Sequence, residues 1–84
     1  MIGIASLIGP WAQELDVGER KARVRSMRAV AGCWLGWEHK LVDLLGRAEN
    51  DPKAMVDALT TLELLPSRTR RHIWAAYGAA QPNG

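Results

Sequence analysis

The chain contains no phenylalanine, one cysteine and one tyrosine. An internal disulfide is excluded, because Cys33 has no partner within its own chain. One cysteine and two histidines suit a structural zinc site poorly, since zinc takes four ligands. No phosphate-cradling glycine loop is present. The carboxylates are scattered and form no dyad. Cys33 with His39 or His72 lacks both an orienting third group and an oxyanion loop, so no nucleophile pair is built. These absences point away from an enzyme, and no cofactor or metal is expected.

Long apolar runs are also missing. The greasiest stretch, "MIGIASLIGPW", has no basic residue before it, is interrupted by Gly9-Pro10, and is too short to span a bilayer. It reads as a segment docked on a core. The chain is expected to be a soluble cytoplasmic protein that does not engage a membrane.

What is present is a small, ordinary folded composition: 84 residues, 48% hydrophobic and 24% charged, too apolar for disorder. One domain over residues 1–80 is expected, with a disordered tail at 81–84. A core this small is marginal alone and benefits from tight helix packing or a second copy of the chain, so a homodimer is expected. Eight arginines against three lysines, with abundant alanine, suggest a GC-rich bacterial or bacteriophage genome.

The apolar spacing is helical nearly throughout, and β-branched residues are few. Ile4, Leu7, Ile8, Trp11 and Leu15 predict a short helix from about Pro10 to Leu15. Met27, Val30, Trp34, Trp37, Leu41, Leu44 and Ala48 follow steps of three and four, which predicts one long helix over about 19–48. The flanking residues Ala31, Leu35, Val42 and Leu45 widen its stripe beyond a dimer seam, as suits a central helix between two neighbours. Asp51-Pro52 predicts the start of a third helix running to about Leu62, with Met55, Val56, Leu59 and Leu62 buried. Ser67 is placed to cap a fourth helix from about Arg68 to Tyr77, and Gly78 to take a left-handed cap. The fold class is all-α: a small helical bundle with the long central helix packed against two or three shorter ones.

Trp34 and Trp37 lie on the predicted stripe, with Gly32 and Gly36 opposite. Each glycine costs a helix about 1 kcal/mol against alanine. Either a neighbouring backbone approaches closely there, or the glycines are incidental. The four tryptophans supply bulk that phenylalanine would otherwise give, and core burial competes with a role at an interface. Cys33, among apolar residues, is expected to be a small buried hydrophobe.

Basic residues cluster twice: Arg20, Lys21, Arg23, Arg25 and Arg28, then Arg68, Arg70, Arg71 and His72. Both clusters stand near predicted helix starts, against the helix dipole. Lys21, Arg25 and Arg28 share an outer face, while Arg20 and Arg23 point along the apolar stripe. Candidate partner-binding residues are therefore Trp34, Trp37, Trp74, Tyr77, Arg25, Arg28, Arg68, Arg70 and Arg71. A helix-turn-helix across "ELLPS" fits poorly, because no glycine occupies the turn and only Ile73, Trp74 and Tyr77 anchor the second helix.

The stretch "DALTTLELLPSRTRR" resembles the "AL..LP.R.R" segment that opens the promoter-reading region of bacterial sigma factors. The resemblance covers about fifteen residues. No helix-turn-helix follows it, and no function is carried across. The expected function is a non-enzymatic protein–protein interaction module. It would be a small bacterial or phage-encoded regulator or inhibitor that binds a larger host protein, itself, or both. A nucleic-acid-binding transcriptional regulator using the arginine clusters is the second reading, and a structural or assembly factor the third.

Overall fold

A computed structural model describes residues 9–80. The core-docking stretch with Ile2, Ile4, Leu7 and Ile8, and the tail at 81–84, lie outside the described residues. Four helices follow in order: α1 (Val17–Leu35), α2 (Lys40–Ala48), α3 (Pro52–Glu63) and α4 (Ser67–Ala80). No strand occurs among the described residues, and the all-α bundle is as expected.

The rod predicted over 19–48 is two helices. α1 stops at Gly36, whose φ of 94° is open to glycine and closed to ordinary side chains. The Gly36 N–H donates to the Gly32 carbonyl at 3.0 Å and closes the last turn. His39 then starts α2, its Nδ1 accepting from the Leu41 N–H at 3.0 Å. Size explains the break. A rod of about 30 residues would be about 45 Å long, whereas the molecule measures 28 × 26 × 26 Å. A straight rod would carry its apolar stripe past the helices that bury it. The turn instead folds Leu41, Val42, Leu44, Leu45 and Ala48 back into the core.

α2 is the central element, packed against α1 on one side and α3 on the other, while α4 packs on α1. The core joins Val24, Met27 and Ala31 of α1 to the five α2 residues, to Ala54, Ala58 and Leu62 of α3, and to Ile73 and Tyr77 of α4. α3 begins as predicted, with Asp51 accepting from the Lys53 N–H at 3.0 Å and Pro52 in the first turn. Its buried side differs from expectation. Ala54, Ala58 and Leu62 face inward, Met55 and Leu59 are half-buried, and Val56 is 63% exposed. The alanines let α3 approach α2 closely, which bulkier contact residues would prevent.

Three local expectations fail. Residues 10–15 form turns rather than a helix, with the Ala12 N–H donating to the Gly9 carbonyl at 3.2 Å. Ser67 is inside α4, because the Pro66 carbonyl accepts from the Arg70 N–H at 2.9 Å and starts the helix one residue earlier. Gly78 stays helical, since α4 runs on to Ala80.

Candidate partner-binding surface

The two arginine clusters do different things. Arg20 and Arg23 turn back onto the segment before α1. The Arg20 guanidinium donates to the Pro10 carbonyl at 2.7 Å and the Gln13 carbonyl at 3.4 Å. That of Arg23 donates to the Gly9 carbonyl at 3.3 Å and to Glu19 at 2.8 Å. These bonds give donors to the Pro10 and Gln13 carbonyls and a second donor to the Gly9 carbonyl, which the Ala12 N–H already reaches. Arg28 lies over Gly46 and donates from Nε to the Val42 carbonyl at 3.3 Å, so it straps α1 to α2. A Cβ at position 46 would come within 3.2 Å of that Nε. Arg25 pairs with Glu49 at 2.9 Å. The hydrogen bond from Arg25 is the main reason the Glu49 carboxyl is held below its ordinary range; desolvation opposes it, and the charges of Arg25, Lys21 and Arg28 add to it. Arg70 donates to the Glu63 carbonyl at 2.8 Å and the Leu65 carbonyl at 3.4 Å, which ties α4 to the end of α3. Only Arg68 and Arg71 of the candidate arginines have no ion pair or side-chain hydrogen bond among the described residues.

The tryptophans divide in the same way. The Trp11 indole N–H donates to the Met55 carbonyl at 2.7 Å, and its ring meets Trp74 edge-on at 6.3 Å. Trp74 in turn meets Tyr77 edge-on at 5.6 Å. Tyr77 is fully buried, and burial pushes its hydroxyl pKa upward, with smaller influences from Arg23, which lowers it, and Glu19, which raises it. Trp74 and Tyr77 therefore serve the core, and of the four aromatic candidates only Trp34 and Trp37 present open surface. They are 50% and 60% exposed.

The break at Gly36 separates those two rings. Trp34 lies against His72 of α4, with ring centroids 5.0 Å apart and planes at 38°. Trp37 folds back over Gly32, where an added Cβ would overlap its ring. Gly32 and Trp34 project about 200° apart around α1, at about 100° per residue. The indoles thus lie on different flanks of the helix. Both glycines acquire a local role: Gly36 ends α1 and Gly32 seats an indole, and neither marks a helix–helix backbone contact. Cys33, expected in the core, is exposed. It stands nine residues after buried Val24, about two and a half turns on, and so faces the opposite way.

A groove of about 500 Å³ opens beside the tied end of α1, lined by Trp11, Arg20, Ala48, Glu49, Pro52 and Met55 among others. Its three charged lining residues already have partners, Arg20 on carbonyls, Glu49 on Arg25 and Asp51 on the Lys53 N–H. No buried side-chain nitrogen or oxygen among the described residues lacks a hydrogen-bond partner. The described residues contain no group of three His, Cys, Asp or Glu able to hold a metal ion. None of their helices is long and apolar enough to cross a membrane.

Sequence reasoning missed the His39 cap. The signal was there, a polar residue just before the run "KLVDLL", but the uninterrupted spacing concealed it. No protein family, curated protein or solved structure matches the chain.

Proposed function

We propose that the protein is a non-enzymatic interaction module that binds a larger protein through the C-terminal end of α1, with Trp34 as its anchor. The supporting observation is the half-exposed Trp34 ring, set against His72 of α4. A rigid, partly bare indole offers apolar area at low entropic cost, which is why tryptophan is enriched among interface hot spots. An exposed Cys33 suits a reducing compartment, and we place the protein in the bacterial cytoplasm, encoded by the host or a phage.

The test compares wild type with Trp34→Ala in two measurements. Thermal unfolding should be nearly unchanged, because the ring adds little to the core. Affinity capture from bacterial lysate should yield a specific protein that Trp34→Ala fails to retain. Sedimentation over a range of concentrations shows whether the partner is a second copy. Equal capture by both forms would sink the reading.

A further inference from the structure

Trp34 lies against a helix that begins with basic residues. Its ring meets His72, and His72 follows Arg68 by one helical turn on the same face of α4, with Arg71 adjacent in the chain. Arg20, Arg23, Arg28 and Arg70 are engaged by backbone carbonyls, and Arg25 by Glu49. Arg68 and Arg71 are exposed and have no ion pair among the described residues. No acidic residue follows Glu63 in the chain. Both guanidinium groups stand near the start of α4, whose first turn carries no acid and where the helix dipole is itself positive. Two guanidinium groups without an ion pair among the described residues thus stand on the helix whose His72 meets the half-exposed Trp34 ring.

That arrangement sets the chemistry of what fits. A carboxylate pairs with those guanidinium groups, whereas a cation is repelled by them. An apolar side chain covers the indole, whereas a phosphate does not. We infer, building on the protein-binding role proposed above, that the partner presents an acidic segment: carboxylates flanking a bulky apolar residue. The apolar residue seats on Trp34 and the carboxylates face Arg68 and Arg71. Nucleic acid fits less well, because two free arginines release few counterions and give a weak field.

The experiment selects from displayed random peptides with the full chain as bait. Enriched peptides are then synthesised and titrated against wild type, Trp34→Ala, and the charge-reversed Arg68→Glu/Arg71→Glu. Single-stranded oligo(dT) is titrated in parallel, and circular dichroism checks that each variant is folded. The expected enrichment is of peptides with Asp or Glu beside Leu, Phe or Trp. Trp34→Ala should weaken them about tenfold or more. Charge reversal should weaken them further than the roughly fivefold ceiling for losing one surface pair. Because Arg68 and Arg71 are exposed, the reversed form should fold even if Trp34→Ala does not. Enriched peptides without acids that still need Trp34 would overturn the acidic partner and leave the protein-binding role standing. Oligo(dT) binding abolished by charge reversal, with no peptide enriched, would assign the surface to nucleic acid. Enrichment indifferent to both variants would overturn the inference and the role together.

Discussion

The two ends of α1 use the same residue types to opposite effect. At the first end Arg20 and Arg23 reach back to the carbonyls of Gly9, Pro10 and Gln13, and Trp11 is fixed to Met55 by its indole N–H. At the second end Trp34 and Trp37 stand half or more in solvent, and Arg68, one turn before His72, has no ion pair among the described residues. The difference lies in what each end must satisfy. An irregular segment brings unpaired carbonyls to the first end, and arginine is a long donor that can meet them. The second end closes itself through Gly36 and His39, so it presents no irregular carbonyls for Arg68 or Arg71 to meet, and its two indoles keep half or more of their surface open. Side chains left without a structural task are the ones free to meet another molecule.

The largest contrast should appear between tryptophans. Trp11→Ala removes a half-buried ring packed on the core, together with the donor that the indole adds to the Met55 carbonyl, so its cost should fall toward the lower end of the roughly 3–5 kcal/mol of a buried ring. Trp34→Ala should cost less than about 1 kcal/mol, because surface substitutions away from the core are small. Denaturant titration of the two variants checks this, and equal losses would break the comparison.

Gly36→Ala comes next, since it forces a side chain into a backbone region reserved for glycine, at about 1–3 kcal/mol. The loss should appear in thermal unfolding even though a Cβ there meets no neighbour. The arginines follow. Arg20→Ala orphans the Pro10 and Gln13 carbonyls and should cost about 1–3 kcal/mol, whereas Arg23→Ala leaves the Gly9 carbonyl with the Ala12 N–H and should cost about 0.5–1.5 kcal/mol. Arg68→Ala and Arg71→Ala should stay within about 0.5 kcal/mol. Chemical denaturation of the four variants separates the engaged cluster from the free one.

Much of this was legible where the interacting groups are neighbours in the chain. Asp51-Pro52 announced α3 because a cap and its helix start are adjacent, and the helical spacing announced an all-α fold. The break at Gly36 was hidden because steps of three and four continue across it, from Trp34 through Trp37 to Leu41, although the rings on either side diverge. The arginine straps were hidden for another reason. Their partners are main-chain oxygens, which no pattern of side chains displays. α3 misled in a third way: large residues drew attention, while Ala54 and Ala58 make the close contact. Of the candidate residues, Trp34, Trp37, Arg68 and Arg71 stand on open surface, whereas Tyr77, Arg25, Arg28 and Arg70 are engaged within the fold, which the sequence did not display.

The smallest effect concerns Arg25 and Glu49, a surface pair linking α1 to the end of α2. Glu49 is held below the ordinary carboxylate range chiefly by the Arg25 hydrogen bond. A carboxyl whose pKa is depressed by folding contributes stability above its unfolded pKa, near 4.3 for glutamate, and loses it as pH falls through the folded value. Acidification from neutral pH should therefore destabilise wild type slightly more than Glu49→Gln, with the two curves diverging only below about pH 5. Salt should shrink the difference, because exposed charges are screened. Thermal unfolding across that range, at low and high ionic strength, reads it directly. Parallel curves in low salt would mean that Arg25 is as free as Arg68, and the contrast between the ends of α1 would then rest on Arg20 and Arg23 alone.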